Sequence, residues 1–360
     1  MLKYPPPKKS LLKKPSLCFQ RKPISKFLLA AFGLWNLLAI GLILNLSNNE
    51  KLYIRAALFS KVVDDSQVST EGAFDQMLEQ GFLRDGPENN PRKLFTAGQL
   101  AKLDSLVTWA QSANCYVPSD GTPAKLTPSD CLARALATDV SPYFLGGKCG
   151  LDGSLKERIG QIVKGVGCCS DFNDAFILRA KSVGLRVREV NNMGHTTAEY
   201  FDPHKLRWKW IDPSFRSQSA DANGGLQSAY EIRSHSQALP LHIVDIPPFD
   251  NRTFSSAKYS GYLARNNSIL YWTRGINLIE TEHFEEPLRR LGLPKGMVQM
   301  ISLALGIRPG YLVLAPAEAA YRFKLSVLLL KSCLLLFLFI DLLILLAALG
   351  WRVSRNRPFV

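Results

Sequence analysis

The sequence lacks the short patterns that usually mark a metal or nucleotide site. It contains no C-x-x-C pair, no H-E-x-x-H segment and no glycine-rich phosphate loop. Its one adjacent cysteine pair, Cys168 and Cys169, is poorly arranged to chelate a single ion, so we expect no zinc. No internal repeat is present either. We therefore expect a chain that uses no metal and no other cofactor.

Acidic residues are absent from the first 26 positions, which carry eight lysines and arginines. Residues 324–360 add a net +4, so only +2 of the formal charge of +14 belongs to the middle of the chain. The excess of positive charge is therefore concentrated at the two ends of the chain, and it gives no evidence for nucleic-acid binding. We expect no nucleic-acid partner, and we expect the basic N-terminal tail to lie on anionic lipid.

Each end also carries an apolar run beside basic residues. Residues 27–46 have about the 20-residue length that spans a bilayer. A cleaved signal peptide is the alternative for this run, but the run is long and no A-x-A site follows it. The second run covers residues 325–350, and a buried core helix is the alternative for both runs. Asp341 lies near the middle of the second run, where an acid is costly, so it should face water or a membrane-protein partner.

Five cysteines lie between the two apolar runs, and an odd number in an oxidising compartment predicts one free thiol. If Cys169 is that thiol, the other four can form two disulfides in three different pairings. The sequence leaves the pairing open among Cys115, Cys131, Cys149 and Cys168.

A helix is predicted to begin at Cys169. Phe172, Phe176 and Val183 fall at or near helical spacing, and Gly184 is a natural stop. The unpaired N–H groups and the dipole at a helix start favour an anion. A thiol at that position is shifted toward thiolate, which is its reactive form.

Two strand patterns follow, at residues 194–201 and 206–211, joined by the turn-like residues 202–205. If those four residues form the hairpin loop, His195 lies directly opposite Asp212. Directly opposed residues have Cβ atoms about 4.5–5.5 Å apart, which lets a carboxylate hold an imidazole. A slip of one residue would put the two side chains on opposite faces.

Cys169, His195 and Asp212 thus form a candidate catalytic triad of nucleophile, base and orienting carboxylate. An oxyanion would need the Cys169 backbone N–H and a second donor. The candidates for the second donor are Trp109, Gln111 and Tyr116. Asp212 has an alternative role as a cap for the turn at Pro213.

Four motifs in residues 167–213 resemble those of the transglutaminase-like superfamily, a branch of the papain-like thiol enzymes. They are Gly167-Cys168-Cys169-Ser170-Asp171-Phe172, then Leu178-Arg179 through Gly184-Leu185 to Arg188, then His195-Thr196-Thr197-Ala198-Glu199, and finally Trp210-Ile211-Asp212-Pro213. The sequence departs from the family at Thr197, where the family usually has Trp, and by two extra residues before Gly184.

The resemblance implies an α+β fold in which a helix bearing the cysteine packs on an antiparallel sheet bearing the histidine and the aspartate. Two transmembrane helices would flank this papain/transglutaminase-like core. The resemblance also implies acyl chemistry on a peptide, protein or glycopeptide substrate, ending in hydrolysis or in transfer to an amine. The alternative is a catalytically silent scaffold in an envelope or polysaccharide assembly, with Asp341 holding a membrane-protein partner.

Basic residues at the outer end of each apolar run predict that both termini are cytoplasmic. We therefore expect a bacterial inner-membrane protein whose central domain is periplasmic. We interpret residues 117–165 as an insertion loop pinned by disulfides, and residues 287–307 as helical. The expected segments are a basic tail (1–26), a span (27–46), a stem (47–90), the transglutaminase-like domain (91–250), a membrane-proximal region (251–324), a second span (325–350) and a short tail (351–360).

Overall fold

Helices and strands are mixed along the chain in the computed structural model, which agrees with the α+β prediction. The structure describes residues 32–38, 41, 61–78, 91–117, 124–140, 155–162, 164, 166–192, 194–236, 241–246, 256–266, 270–274, 278–308 and 310–355.

Ten strands are present in the described residues. They are β1 (Lys61–Asp64), β2 (Tyr116–Val117), β3 (Ala124–Lys125), β4 (Val187–Asn191), β5 (Thr196–Asp202), β6 (Arg207–Ile211), β7 (Ser217–Ala220), β8 (His242–Asp245), β9 (Leu270–Arg274) and β10 (Leu312–Ala315). Six of them form the main sheet in the order β1-β10-β9-β4-β5-β6.

We label ten α-helices in the described residues. They are α1 (Glu71–Met77), α2 (Ala97–Ser112), α3 (Pro128–Val140), α4 (Leu155–Ile162), α5 (Cys169–Ser182), α6 (Ala229–Ser236), α7 (Ser256–Asn266), α8 (Leu278–Arg290), α9 (Lys295–Ala304) and α10 (Ala317–Arg355). Helix α5 therefore begins at Cys169, as the sequence predicts.

The main sheet joins distant parts of the chain. Strand β1 pairs in parallel with β10, so that Lys61 lies beside Leu312. The other neighbours in the sheet are antiparallel. The six strands thus draw on all three of the segments that the sequence analysis separates as stem, domain and membrane-proximal region.

Helix α5 packs on one face of the sheet, against β4 and β5. Its fully buried residues Phe172 and Phe176 belong to the same apolar cluster as Ala198 and Tyr200 of β5. A second cluster includes Trp210 of β6 together with residues of β9, β10 and α7. Apolar residues therefore pack on both faces of the central strands. This packing fixes the position of α5 relative to the start of β5.

The prediction of an insertion loop at residues 117–165 is wrong where the structure describes that segment. Helix α3 lies there, and it packs on both α2 and α5. Leu132, Leu136 and Val140 recur at helical spacing and are all buried. The segment therefore contributes a core helix beside α5.

The hairpin register differs from the predicted one by two residues. Asp202 pairs with Arg207, so the loop is 203–206 and Leu206 takes a left-handed conformation with φ of 53°. Asp202 stays in the strand because it is buried and its carboxylate accepts a hydrogen bond from Lys209 Nζ at 2.7 Å. A shift of two residues keeps each side chain on its predicted face.

The long single helix predicted at residues 287–307 is divided in two. Helix α8 ends at Arg290 and α9 begins at Lys295. Gly292 between them has φ of 78°, a left-handed value that glycine adopts easily. Pro294 is the N-cap of α9, a position at which a missing N–H costs little.

Helix α10 contains the one stretch of the described residues that is long and apolar enough to span a membrane. That stretch is Ala317–Ala347, and an 18-residue window within it has a mean hydropathy of 2.6. Of the first predicted span, the structure describes residues 32–38 and 41, which are helical; its remaining residues lie outside the described part. The rings of Trp35 and Phe337 are in contact, with centroids 4.2 Å apart.

Candidate active site

Cys169 is the first residue of α5, and local contacts fix the helix start. The backbone N–H of Cys168 donates to Asp171 Oδ2 at 3.1 Å, which caps the first turn. Gly167 has φ of +146°, and a Cβ there would lie 3.1 Å from Asp171 Cβ. A glycine before the cysteine pair is therefore required by both the backbone conformation and the close approach of Asp171.

The Cys169 thiol is half-buried and contacts His195. Burial raises the pKa of this thiol, but the hydrogen bond and charge of His195, together with the backbone N–H of Thr196, outweigh burial and lower the pKa below its ordinary value. The position at the helix N-terminus favours the anion as well. These contacts favour the thiolate form of Cys169.

His195 lies immediately before β5 and is buried. Its Nε2 is 2.5 Å from Oδ2 of Asp212, which leaves Nδ1 as the nitrogen available to the Cys169 sulfur. Burial alone would lower the pKa of His195, but the charge and hydrogen bond of Asp212, aided by Cys169, raise it to about 10. The raised pKa favours the imidazolium form of His195 beside the Cys169 sulfur.

Asp212 follows β6 and is fully buried. Its Oδ1 accepts hydrogen bonds from the backbone N–H groups of Ser214 at 2.8 Å and Phe215 at 3.2 Å. Burial raises the pKa of Asp212, but His195 and the hydroxyl of Tyr259 outweigh this and lower it. Asp212 thus both caps the turn after β6 and holds His195, so the two roles considered from the sequence coexist.

His195 and Asp212 meet diagonally across the hairpin. Ala198 pairs with Ile211, so continuing this register puts Asp212 opposite Thr197, two residues from His195. The prediction that His195 lies directly opposite Asp212 is therefore wrong. Diagonal neighbours about 7–8 Å apart still permit contact between longer side chains.

Two tyrosines of α7 also lie at the site, and neither is predicted from the sequence. Tyr259 is fully buried and its hydroxyl donates to Asp212 Oδ2. The Tyr262 ring lies edge-on to the ring of His195, with centroids 6.2 Å apart. A Cβ on Gly194 would come within 3.3 Å of the Tyr262 hydroxyl, so glycine leaves room for this ring.

Burial raises the pKa of Tyr262 to about 12, with Cys169 and Asp212 acting in the same direction. Tyr262 therefore remains a neutral phenol beside the sulfur. The spacing of Tyr259 and Tyr262 indicates one face of a helix, but nothing in the sequence relates that face to Asp212.

The three candidates for a second oxyanion donor lie on α2 and β2. Trp109 is 47% exposed and Tyr116 is 48% exposed, and Gln111 is exposed as well. Helix α2 packs on α3, and α3 in turn packs on α5. Their assignment as the second oxyanion donor stays a prediction from the sequence.

Glu199, which shares the family motif with His195, has a structural role. Its Oε2 accepts from Arg188 Nε at 2.6 Å and from Trp272 Nε1 at 2.9 Å. Thr197, where the family has Trp, donates its hydroxyl hydrogen to Val190 O at 3.1 Å and accepts from Trp210 Nε1 at 2.9 Å. Glu199 and Thr197 thus find hydrogen-bond partners on the neighbouring strands of the main sheet, beside the catalytic candidates.

Three cysteines of the described residues are disulfide-bonded, and Cys169 is free. Cys115 and Cys131 form a disulfide, and Cys168 is disulfide-bonded too, with its partner outside the described residues. Cys169 and Cys333 are the free cysteines of the described part. Within the described residues, no group of three His, Cys, Asp or Glu side chains is placed to hold a metal ion.

Comparisons with known proteins assign this chain to no family. No protein-family model matches the sequence, and no curated protein matches it. The chemistry of the site is therefore the basis on which a function can be argued.

Proposed function

We propose that this protein is a membrane-anchored thiol enzyme of the transglutaminase-like type. Cys169 is the nucleophile, His195 is the acid and base, and Asp212 orients and charges the imidazole. The proposal rests on the two contacts of His195. Its imidazole contacts the Cys169 thiol, and its Nε2 lies 2.5 Å from Asp212 Oδ2. The motifs of residues 167–213 give independent support.

The reaction begins when the Cys169 thiolate attacks the carbonyl carbon of an amide or ester. The Cys169 backbone N–H, which has no intrahelical partner at the helix start, is suited to the oxyanion. As the carbon–nitrogen or carbon–oxygen bond breaks, the His195 imidazolium gives its proton to the leaving group. A thioester on Cys169 and a neutral His195 result.

In the second half, neutral His195 takes a proton from water or from an amine, which attacks the thioester. The acyl group leaves as an acid or as a new amide, the sulfur leaves as a thiolate, and His195 is again an imidazolium. We favour water as the acceptor, because bacterial members of the superfamily that the motifs resemble more often hydrolyse their substrates than transfer the acyl group. The substrate class is a peptide, protein or glycopeptide.

The compartment proposed is the periplasmic face of a bacterial inner membrane, with both termini cytoplasmic. The apolar stretch Ala317–Ala347 supports anchoring by α10. The Cys115–Cys131 disulfide supports an oxidising space, since such bonds are rare in the cytosol.

A non-catalytic scaffold is the second candidate. It is favoured by Asp341, whose Oδ1 is shielded from solvent and has no hydrogen-bond partner among the described residues. A basic or polar group of another membrane protein would satisfy that oxygen. The scaffold reading expects a co-purifying membrane protein that is lost from the Asp341→Leu variant.

The proposed role of Cys169 as the nucleophile can be tested by labelling the full-length protein with an acyl probe that reacts with nucleophilic thiols. We expect labelling of Cys169 at neutral pH, with loss of label in Cys169→Ala. Cys333→Ala is the matched control, because Cys333 is also a free cysteine but lies exposed on α10. Labelling of Cys169→Ala at the wild-type level would reject Cys169 as the nucleophile.

A further inference from the structure

One carboxylate oxygen of Asp212 serves two donors. His195 Nε2 lies 2.5 Å from Oδ2, and the hydroxyl of Tyr259 donates to the same oxygen. The Tyr259 hydroxyl oxygen is also 3.4 Å from His195 Nε2. The other oxygen, Oδ1, is occupied by the turn N–H groups of Ser214 and Phe215. Tyr259 therefore competes with His195 for the charge on a single atom.

We propose that Tyr259 is a positioning residue for catalysis, which shares Asp212 Oδ2 with His195 and so limits how firmly the carboxylate holds the imidazolium. The inference rests on the proposed function. A donor on an anionic oxygen draws off part of its charge, and this weakens the attraction for a second donor. His195 must release its proton to the leaving group, and an imidazolium held too firmly is a poor acid.

The surroundings hold the phenol of Tyr259 in place. Its ring contacts that of Phe215, with centroids 4.9 Å apart, and stacks on Tyr262 at 6.3 Å with an interplanar angle of 10°. Tyr259 is 0% exposed, so its hydroxyl is shielded from bulk solvent. In the part of the chain that the structure describes, the Cys169 thiol of α5 and the Tyr262 phenol of α7 also face the His195–Asp212 pair.

The test is the pH dependence of Cys169 alkylation by iodoacetate, read at this residue by mass spectrometry on the full chain in detergent. Iodoacetate is an anion, so its reaction slows as His195 loses its positive charge at high pH. Removing the Tyr259 donor leaves more charge on Asp212 for His195. In Tyr259→Phe, the alkaline inflection should therefore rise by about half to one pH unit.

Two further variants should move the inflection down. Asp212→Asn removes the charge that supports the imidazolium. Replacement of Tyr259 by 3-fluorotyrosine makes the phenol more acidic and a stronger donor, while the ring keeps nearly its native shape. A merely structural role for Tyr259 would instead loosen the pair and lower the inflection in Tyr259→Phe as well.

Tyr230→Phe is the control for loss of a phenol hydroxyl. Tyr230 lies on α6, where its ring stacks on Phe74 at 5.4 Å, and its hydroxyl loss should leave the inflection unchanged. An unchanged or lower inflection in folded Tyr259→Phe, or an upward shift with 3-fluorotyrosine, overturns the inference. Wild-type Cys169 that shows no thiolate reactivity at neutral pH would overturn the proposed function and the inference with it.

Discussion

The imidazole of His195 and the carboxylate of Asp212 meet diagonally across β5 and β6, with 2.5 Å between Nε2 and Oδ2. His195 precedes the first residue of β5, and Asp212 follows the last residue of β6. Because the two strands are antiparallel, both residues lie at the same end of the sheet. Helix α5 begins at that end with Cys169, so three separate element termini supply the three side chains.

Asp212→Asn keeps the size of the side chain but removes the charge that supports the imidazolium. The pKa of His195 should fall from about 10 toward its ordinary value of 6.5. At pH 8 the ion pair with Cys169 is then lost, and hydrolysis of a p-nitrophenyl ester should slow by roughly 10²-fold or more. Asp221→Asn, in an exposed turn, is the control. Equal rates in wild type and Asp212→Asn would rule out the orienting role.

The same pair makes stability depend on alkaline pH. The raised pKa of His195 contributes stability that is fully present below 6.5 and is lost as the pH rises through about 10. Cys169 acts in the opposite sense, because its lowered pKa contributes stability above its ordinary value of 9.0. The two contributions offset each other only between the lowered pKa of Cys169 and 9.0, so above about 9 the loss from His195 should appear alone as the pH rises through about 10.

Thermal unfolding between pH 7 and pH 11 measures this loss. The Tm advantage of wild type over His195→Gln should shrink above about pH 9. His204→Gln, in the exposed hairpin loop, should follow wild type at every pH. A constant difference between wild type and His195→Gln would mean that no imidazolium is held in the folded protein.

Glu199 offers a test of stability that is separate from catalysis. The carboxylate is 0% exposed and pairs with Arg188 at 2.6 Å. Glu199→Ala leaves the buried Arg188 without this partner and should lower the free energy of unfolding by about 3 kcal/mol. The alkaline inflection of Cys169 alkylation should stay unchanged in the folded variant. Glu286→Gln, which breaks a more exposed helix pair, should leave unfolding unchanged.

If Glu199→Ala instead shifts that inflection while stability is kept, Glu199 belongs to the catalytic network. Denaturant unfolding in detergent gives the stability, and iodoacetate labelling gives the inflection. The two measurements together separate packing from chemistry.

The helix start at Cys169 and the proximity of His195 to Asp212 can be predicted because their signals are local. Helical spacing, the stop at Gly184 and strand alternation all lie within residues 167–212. The exact hairpin register cannot be predicted this way, because the Asp202–Lys209 ion pair that keeps Asp202 in the strand also involves Asp130 of α3. A shift of two residues leaves each side chain on the same face of the sheet. The proximity of His195 to Asp212 is therefore predicted correctly although the register is wrong.

Tyr259 has no such local signal. It lies 47 residues beyond Asp212, and only the docking of α7 beside the sheet brings its hydroxyl to the carboxylate. The pairing of Lys61 with Leu312 likewise cannot be predicted from the sequence. Parallel strands are not joined by a short hairpin turn, so no local turn signal marks the pair. The sequence of a short apolar strand does not show which other strand it pairs with.

The Cys115–Cys131 disulfide should stabilise the support of α5. It ties the segment after α2 to α3, across a sequence separation of 16 residues, and α3 packs directly on α5. The double variant Cys115→Ser/Cys131→Ser should lose about 3 kcal/mol of unfolding free energy, since closing a loop of that length restricts the unfolded chain by this amount. The variant is a cleaner test than a reductant, which would also open the bond of Cys168. Thermal unfolding of the variant beside Cys333→Ser gives the comparison. If the double variant unfolds at the wild-type temperature, the bond does not constrain this part of the fold, and α3 is held by its apolar contacts alone.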